Sequence, residues 1–188
     1  MDASLKDLCE KHPGHGDLRV AVAKLAIIGR AYATGLERGV RSFDAQGSAL
    51  LAIADHVYEK RAEVDRIIRR VIGLRGGLDQ EKLTLILRAH GRLDEVVSDL
   101  TIKGRSARSF VSKYLHFHAP IVPIYDASAW DRLRRITPLE RGMDLLPNQG
   151  DPAYRRFLER YWSLHGQLRR AGRKPTARRI DSYLFHRG

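Results

Sequence analysis

The sequence has few of the features that mark secreted or membrane proteins. Cys9 is the only cysteine among 188 residues, so the chain cannot form an internal disulfide. No stretch approaches the roughly 18 apolar residues that a membrane-spanning helix needs, and the first residues lack the basic and apolar regions of a signal peptide. These absences predict a cytoplasmic protein without a membrane partner.

The common catalytic motifs are also missing. The chain contains no G-x-S-x-G nucleophile elbow, no G-x-x-x-x-G-K-S/T phosphate loop and no G-x-G-x-x-G dinucleotide segment. His116 and His118 are two positions apart, which on a helix directs them about 200° away from each other. No cysteine or further histidine stands at a recognisable ligand spacing. We therefore expect neither a metal nor another cofactor.

Acidic residues are scarce relative to basic ones. The chain has 34 Lys and Arg against 22 Asp and Glu, which gives a net charge of +12 and an isoelectric point near 10.2. Residues 151–188 hold ten basic and three acidic residues, a net charge of +7. Such an excess predicts a polyanionic partner, because Lys and Arg neutralise phosphates. A solvated helix surface is the alternative explanation.

Apolar residues recur every three or four positions along most of the chain, which predicts an all-α fold. No linker, repeat or low-complexity segment divides it, so residues 1–188 are expected to form one compact single-domain helical bundle. The helices predicted from capping and breaking residues run from Asp17 to about Glu37, Asp44 to about Ile72, Asp79 to about Arg88, Leu93 to Leu100, Arg105 to His118, Ala127 to Ile136, Ala153 to about Arg170, and from Pro175 onward.

Two of these helices flank a short loop that contains two prolines. In the helix ending at His118, Lys113 lies at the border between the apolar and the polar half, where its stem can be buried while its amine reaches a cleft. Burial there would lower the pKa of the amine. Pro120 ends the helix, Pro123 stiffens the loop, and Asp126 is placed to cap the next helix.

A helix, a P-(I/V)-x-D loop and a second helix, over about residues 100–136, resemble the helix-hairpin-helix superfamily of DNA glycosylases, and most closely its 8-oxoguanine glycosylase-like members. Asp126 matches the Asp that supports the transition state in that family, with Tyr125 as one extra residue relative to the commoner P-V-D spacing. The resemblance implies a bundle of the helix-hairpin-helix glycosylase type. It also implies that Asp126 is catalytic. An ordinary helix cap is the alternative role for this residue.

The resemblance further implies that a hairpin just before the helix that ends at His118 contacts DNA. Here the segment reads Leu100 to Arg105 and has one glycine, Gly104. If Gly104 is the second hairpin glycine, the usual lysine position falls on Arg105 or Ser106, which implies a monofunctional enzyme. Lys113 and Lys103 are the substitute nucleophiles. The expected DNA contacts are Lys103, Gly104, Arg105, Ser106, Arg108 and His116.

A glycosylase must also receive a base extruded from the duplex. Arg30 and Tyr32 lie among small residues in an early helix that resembles one in the same family, and small neighbours leave room for a base-sized pocket. Tyr125 adds an aromatic ring from the loop, and Trp130 is a further candidate. His118 is expected to hydrogen-bond the loop and so position Asp126. Packing in the core is the alternative role for these aromatic side chains.

The residues and the resemblance together predict a monomeric base-excision repair enzyme, which would be associated with the nucleoid if its source is bacterial. It would cleave the N-glycosidic bond of an oxidised or otherwise modified base in duplex DNA after flipping it out, with AP lyase activity if a lysine reaches the sugar. One alternative is a catalytically inactive helix-hairpin-helix protein that only binds DNA. Another is an RNA-binding or toxin-like helical protein.

Overall fold

Several helices begin at side chains that accept backbone N–H groups. The computed structural model describes residues 2–31, 47–101, 106–137 and 145–185, and this part of the chain is all-α. The caps predicted at Asp17, Asp79 and Asp126 are confirmed, because each accepts an N–H from the following helix at 2.8–2.9 Å. The helices in these ranges are α1 (Asp2–Lys11), α2 (Leu18–Ala26), a π-helical turn (Ile27–Ala31), α3 (Ala49–Glu59), α4 (Arg61–Ile72), α5 (Gln80–Ser98), α6 (Arg108–His118), α7 (Ala127–Ile136), α8 (Pro152–Arg170) and α9 (Ala177–Phe185).

The prediction of a single helix from Asp44 to Ile72 is wrong, because the structure has two helices here, α3 and α4. Asp44 lies outside the described residues, and α3 is capped by Ser48, whose hydroxyl accepts the Leu51 N–H at 3.3 Å. The chain leaves helical geometry at Lys60, where φ is −85° and ψ is 9°. Because α3 packs against α2 while α4 packs against α5 and α6, the chain must turn between them. This turn follows from how the helices pack, so it cannot be predicted from the spacing of apolar residues along the chain.

The two helices predicted at Asp79–Arg88 and Leu93–Leu100 are in fact one helix, α5. Gly91 lies in its interior instead of in a loop. A Cβ on residue 91 would stand 2.9 Å from the Cα of Gly150, so this glycine permits the segment before α8 to pack directly on α5. Gly150 itself has a φ of +65°, which favours glycine.

Two helix ends and one additional helix differ from the predicted elements. α2 gives way to the π-helical turn, and the rest of the stretch predicted to continue to Glu37 lies outside the described residues. The helix predicted from Arg105 begins at Arg108. α1 has no counterpart among the predicted helices; Leu5 and Cys9 are its buried side chains in the described part.

α6 is the central helix of the described structure and carries the segment that the sequence singles out. It packs against α1, α4 and α5, while α7 packs against α8 and α9. Seven of its eleven residues are buried, including Ser112 and Lys113. The helix therefore lacks the wide polar face expected for a surface helix, and Lys113 enters the interior further than its border position indicates.

An ion pair fastens the start of α6 to the start of α8. The Arg108 guanidinium donates from Nε and Nη2 to the two carboxylate oxygens of Asp151, at 2.6 and 2.9 Å. Ser106 Oγ donates to the same carboxylate at 2.8 Å, and Asp151 also caps α8. Burial alone would raise the pKa of Asp151, but the hydrogen bonds from Arg108 and Ser106 outweigh it and lower that pKa below its ordinary value.

Asp151→Ala is expected to destabilise the protein by about 3 kcal/mol, because it removes a helix cap and leaves a half-buried guanidinium unpaired. Asp131→Ala, which breaks an exposed pair with Arg134, should cost less than about 1 kcal/mol. Urea unfolding of both variants gives the comparison. The Asp151 contribution is present above its unfolded pKa of about 3.9 and is lost as the pH falls through the lower folded pKa. Equal losses in the two variants at neutral pH would contradict this account.

Candidate functional site

Asp126 and Lys113 lie side by side at the wall of a cleft. Lys113 projects from α6, and its Nζ is 3.5 Å from Oδ2 of Asp126 at the start of α7. The other carboxylate oxygen accepts the Ser128 N–H at 2.9 Å. The Lys113 side chain is 8% exposed and that of Asp126 is 31% exposed. The carboxylate therefore reaches solvent, while the amine beside it is almost entirely buried.

Side chains of α6 and α8 hold the loop that carries Asp126 through hydrogen bonds to its backbone. The Ser112 hydroxyl accepts the Tyr125 N–H at 3.0 Å. His116 Nδ1 donates to the Val122 carbonyl at 2.8 Å, and the hydroxyl of Tyr154 in α8 donates to the Pro123 carbonyl at 2.8 Å. Because each bond attaches the loop to a buried or largely buried side chain, the position of Asp126 relative to α6 is fixed by the core.

Burial changes the acidity of the Lys113 amine. Desolvation lowers its pKa below the ordinary lysine value, and the nearby Asp126 carboxylate raises it again only in part. The neutral form of the amine is consequently more populated near neutral pH than in an exposed lysine. An amine must be neutral to act as a nucleophile, so this environment favours that chemistry.

The cleft has a volume of about 750 Å³, within the range of small-molecule sites. Its lining combines an apolar wall with two further cations, contributed by α1, α6, α9 and the loop after α6: Lys6, Phe117, Pro120, Ile124, Arg178 and Phe185. Phe185 is 36% exposed, so part of its ring is available to a ligand. The arrangement offers an aromatic surface, a carboxylate, a buried amine and positive charge within one cavity.

Two aromatic residues expected in the pocket lie elsewhere. Tyr125 and Trp130 are not among the residues that line the cleft. The Tyr125 ring packs edge-on against Phe157, with centroids 5.3 Å apart, and the Arg108 guanidinium lies 5.0 Å above it. Tyr125 thus contributes to the packing between α7 and α8. Tyr32 lies outside the described residues, as does the side chain of Arg30.

The role predicted for His118 is wrong. Neither of its ring nitrogens has a hydrogen-bond partner among the described residues, so the side chain does not bind the loop. Its ring packs beside that of Tyr114, with centroids 5.3 Å apart, and burial lowers the pKa of His118 to about 3. The imidazole is therefore neutral and belongs to the core.

His116, and not His118, is the histidine that holds the loop in place. Its ring lines the cleft but is only 14% exposed, and the bond to Val122 orients it. Asp181 Oδ2 lies 3.8 Å from the same nitrogen. Burial raises the pKa of Asp181 to about 8, so this carboxyl carries a proton at neutral pH. A phosphate contact by His116 remains a prediction.

Only some of the residues expected to contact DNA around the hairpin lie within the described part of the chain. Lys103, Gly104 and Arg105 lie outside the described residues. Ser106 and Arg108 bind Asp151, which gives both a role in joining α6 to α8. Asp151 already engages the Arg108 guanidinium through two nitrogens, so Arg108 would have to break this ion pair in order to bind a phosphate. Arg108 therefore joins α6 to α8 and is not proposed as a phosphate contact.

A buried polar cluster lies on another side of α6 and was not identified from the sequence. His15 is fully buried, with Nδ1 2.6 Å from Asp65 Oδ1 and Nε2 hydrogen-bonded to the Tyr114 hydroxyl. Lys24 is also fully buried and donates to the Gly14 carbonyl at 3.1 Å. Burial lowers the pKa of both His15 and Lys24. The cluster connects the segment before α2 to α4 and α6 through partners distant in the chain.

Comparisons with protein-family models, with curated proteins and with solved structures found no match for this chain. The described residues contain no group of three or more His, Cys, Asp or Glu side chains suited to holding a metal ion. No helix in the same ranges is long and apolar enough to cross a membrane.

Proposed function

We propose that this protein is a DNA glycosylase of the helix-hairpin-helix type that cleaves the N-glycosidic bond of an oxidised or modified base. The observation that carries the proposal is the Asp126 carboxylate, which is partly exposed at a cleft of about 750 Å³ and lies 3.5 Å from the largely buried Lys113 side chain. The helix-loop-helix resemblance gives Asp126 the same role. The net charge of +12 supports a nucleic-acid partner.

Breaking the bond between a base and deoxyribose develops positive charge on the sugar. A fixed carboxylate beside the sugar stabilises that charge, or orients the attacking water. Asp126 is suited to this role because Ser128 and Lys113 each contact one of its oxygens, which fixes the orientation of the carboxylate.

Lys113 has two possible roles, and they define two kinds of enzyme. As a cation it holds Asp126 in place, and water attacks the sugar. As a neutral amine it attacks C1′, the bond from C1′ to the base nitrogen breaks, and the base leaves with the bonding electrons and takes up a proton. Opening of the sugar ring then gives a Schiff base, which permits strand cleavage. The lowered pKa of Lys113 favours the second role.

The apolar wall of the cleft is suited to the extruded base. Unstacking a nucleotide costs a few kcal/mol, which contacts in the pocket must offset. Phe117 and Phe185 provide aromatic surface, and Ile124 extends it. Stacking on an aromatic ring is compatible with any base, so these residues support binding without specifying which lesion is removed.

Asp126→Asn is expected to lower single-turnover base release by at least about 100-fold, because an amide cannot stabilise positive charge on the sugar. DNA affinity at fixed salt should change little, since Asn also caps helices. The substrates are short duplexes that each carry one modified base. Asp17→Asn is the matched control, because Asp17 accepts an N–H two residues ahead at 2.8 Å, as Asp126 does at 2.9 Å.

Full activity of Asp126→Asn would remove the catalytic assignment. No base release by the parent protein from any duplex, with DNA binding intact, would favour the catalytically inactive DNA-binding protein. The capping bond from Ser128 to Asp126 is the observation that fits that alternative. Preference for single-stranded RNA over lesion-bearing duplex in competition would favour the RNA-binding or toxin-like protein.

Lys113→Ala is expected to abolish the covalent adduct that borohydride traps on duplex DNA with an abasic site. Only a Schiff base is reduced to a stable amine, so trapping reports directly on the attacking lysine. Lys103→Ala should still form the adduct. Trapping that persists in Lys113→Ala but is lost in Lys103→Ala would move the nucleophile to the hairpin. No adduct with the parent protein would leave water as the nucleophile.

A further inference from the structure

Two cations from opposite ends of the chain meet at the cleft. Lys6 belongs to α1, which packs on α6, and Arg178 belongs to α9, which packs on α7. Since α6 provides Lys113 and the start of α7 provides Asp126, each cation is carried by a helix that borders one half of the candidate site. Neither residue belongs to the predicted hairpin or to the loop that carries the resemblance.

The charge balance of the cleft leaves these two cations available to a ligand. Asp126 is the one carboxylate among its described lining residues, and Lys113 is already its partner. Glu10 approaches Lys6 at 3.5 Å, but the two side chains are 53% and 65% exposed. An exposed pair of this kind contributes little, so Lys6 can exchange Glu10 for a phosphate at small cost. Arg178 is exposed.

We infer that Lys6 and Arg178 form a phosphate clamp, which binds the DNA backbone on the two sides of the extruded nucleotide. The inference rests on the proposed function, because it takes the cleft as the place where the nucleotide enters. A phosphate is the appropriate ligand, since the guanidinium fork matches its geometry and a lysine acts as a point charge beside it. The clamp positions the sugar between its two phosphates, over Asp126.

Each clamp residue has a matched control on its own helix. Lys11 is also in α1 and also pairs with an acidic residue four positions away, Asp7, at 2.8 Å, yet it does not line the cleft. Arg179 follows Arg178 in α9 and donates to the Lys174 carbonyl instead. Replacing any of the four by alanine removes one positive charge from an exposed site, so the net charge of the variants is identical.

The test is the salt dependence of binding to a duplex that contains one stable abasic-site analogue, measured with the full chain. Lys6→Ala and Arg178→Ala should each bind several-fold more weakly than the parent. Each should also reduce the slope of log K against log salt by about 0.9, the loss expected for one phosphate contact. Lys11→Ala and Arg179→Ala should keep the parent slope, and Lys6→Arg should restore it.

Slopes for Lys6→Ala and Arg178→Ala equal to those of the two controls would overturn the clamp, whatever Asp126→Asn does to base release. Reduced slopes in both clamp variants support it even if Asp126→Asn remains active, because the slope measures phosphate contacts and not bond cleavage. Failure of the clamp and failure of the glycosylase proposal are thus read from separate measurements. Thermal unfolding of each variant verifies that the fold is intact.

Discussion

The hydrogen bond between the Ser112 hydroxyl and the Tyr125 N–H is the constraint on which the candidate site depends. Ser112 is fully buried in the central helix α6, directly before Lys113, and Tyr125 directly precedes Asp126. One bond therefore ties together the neighbours of the two groups that face each other across 3.5 Å. The contacts from His116 to Val122 and from Tyr154 to Pro123 reinforce it. The pair is preorganised by the core and does not depend on a ligand to assemble it.

Two opposing electrostatic effects act on the Lys113 amine in the cleft. Burial disfavours the charged form of the Lys113 amine, whereas the Asp126 carboxylate beside it favours that form. A ligand that excludes more water would strengthen the first effect, and a sugar that gains positive charge would compete with the amine for the carboxylate. The same pair can thus serve as a resting ion pair and, on the proposed function, as the reacting groups when a nucleotide enters.

The sequence predicts those parts of the molecule whose causes are local. Asp126 caps α7 because its short carboxylate directly precedes an amphipathic helix and can accept its first N–H groups. Pro120 lies just after the end of α6. Both features follow from neighbouring residues. Lys113 and Asp126 were both predicted as site residues from their local context, whereas the 3.5 Å contact between them is seen only in the structure. Phe185 and Arg178 reach the cleft through the packing of α9 on α7, which no local pattern encodes. For the same reason the sequence does not predict that α5 runs unbroken through Gly91, since the partner of this glycine, Gly150, is distant in the chain.

The most direct measurement of the central claim is a crystal structure of Asp126→Asn bound to a duplex with a modified base that the parent protein excises. The account predicts a single nucleotide turned out of the stack, with its sugar in van der Waals contact with the residue 126 side chain and its base against Phe117 and Phe185. A complex in which every nucleotide stays stacked and the DNA lies away from this cleft would contradict it.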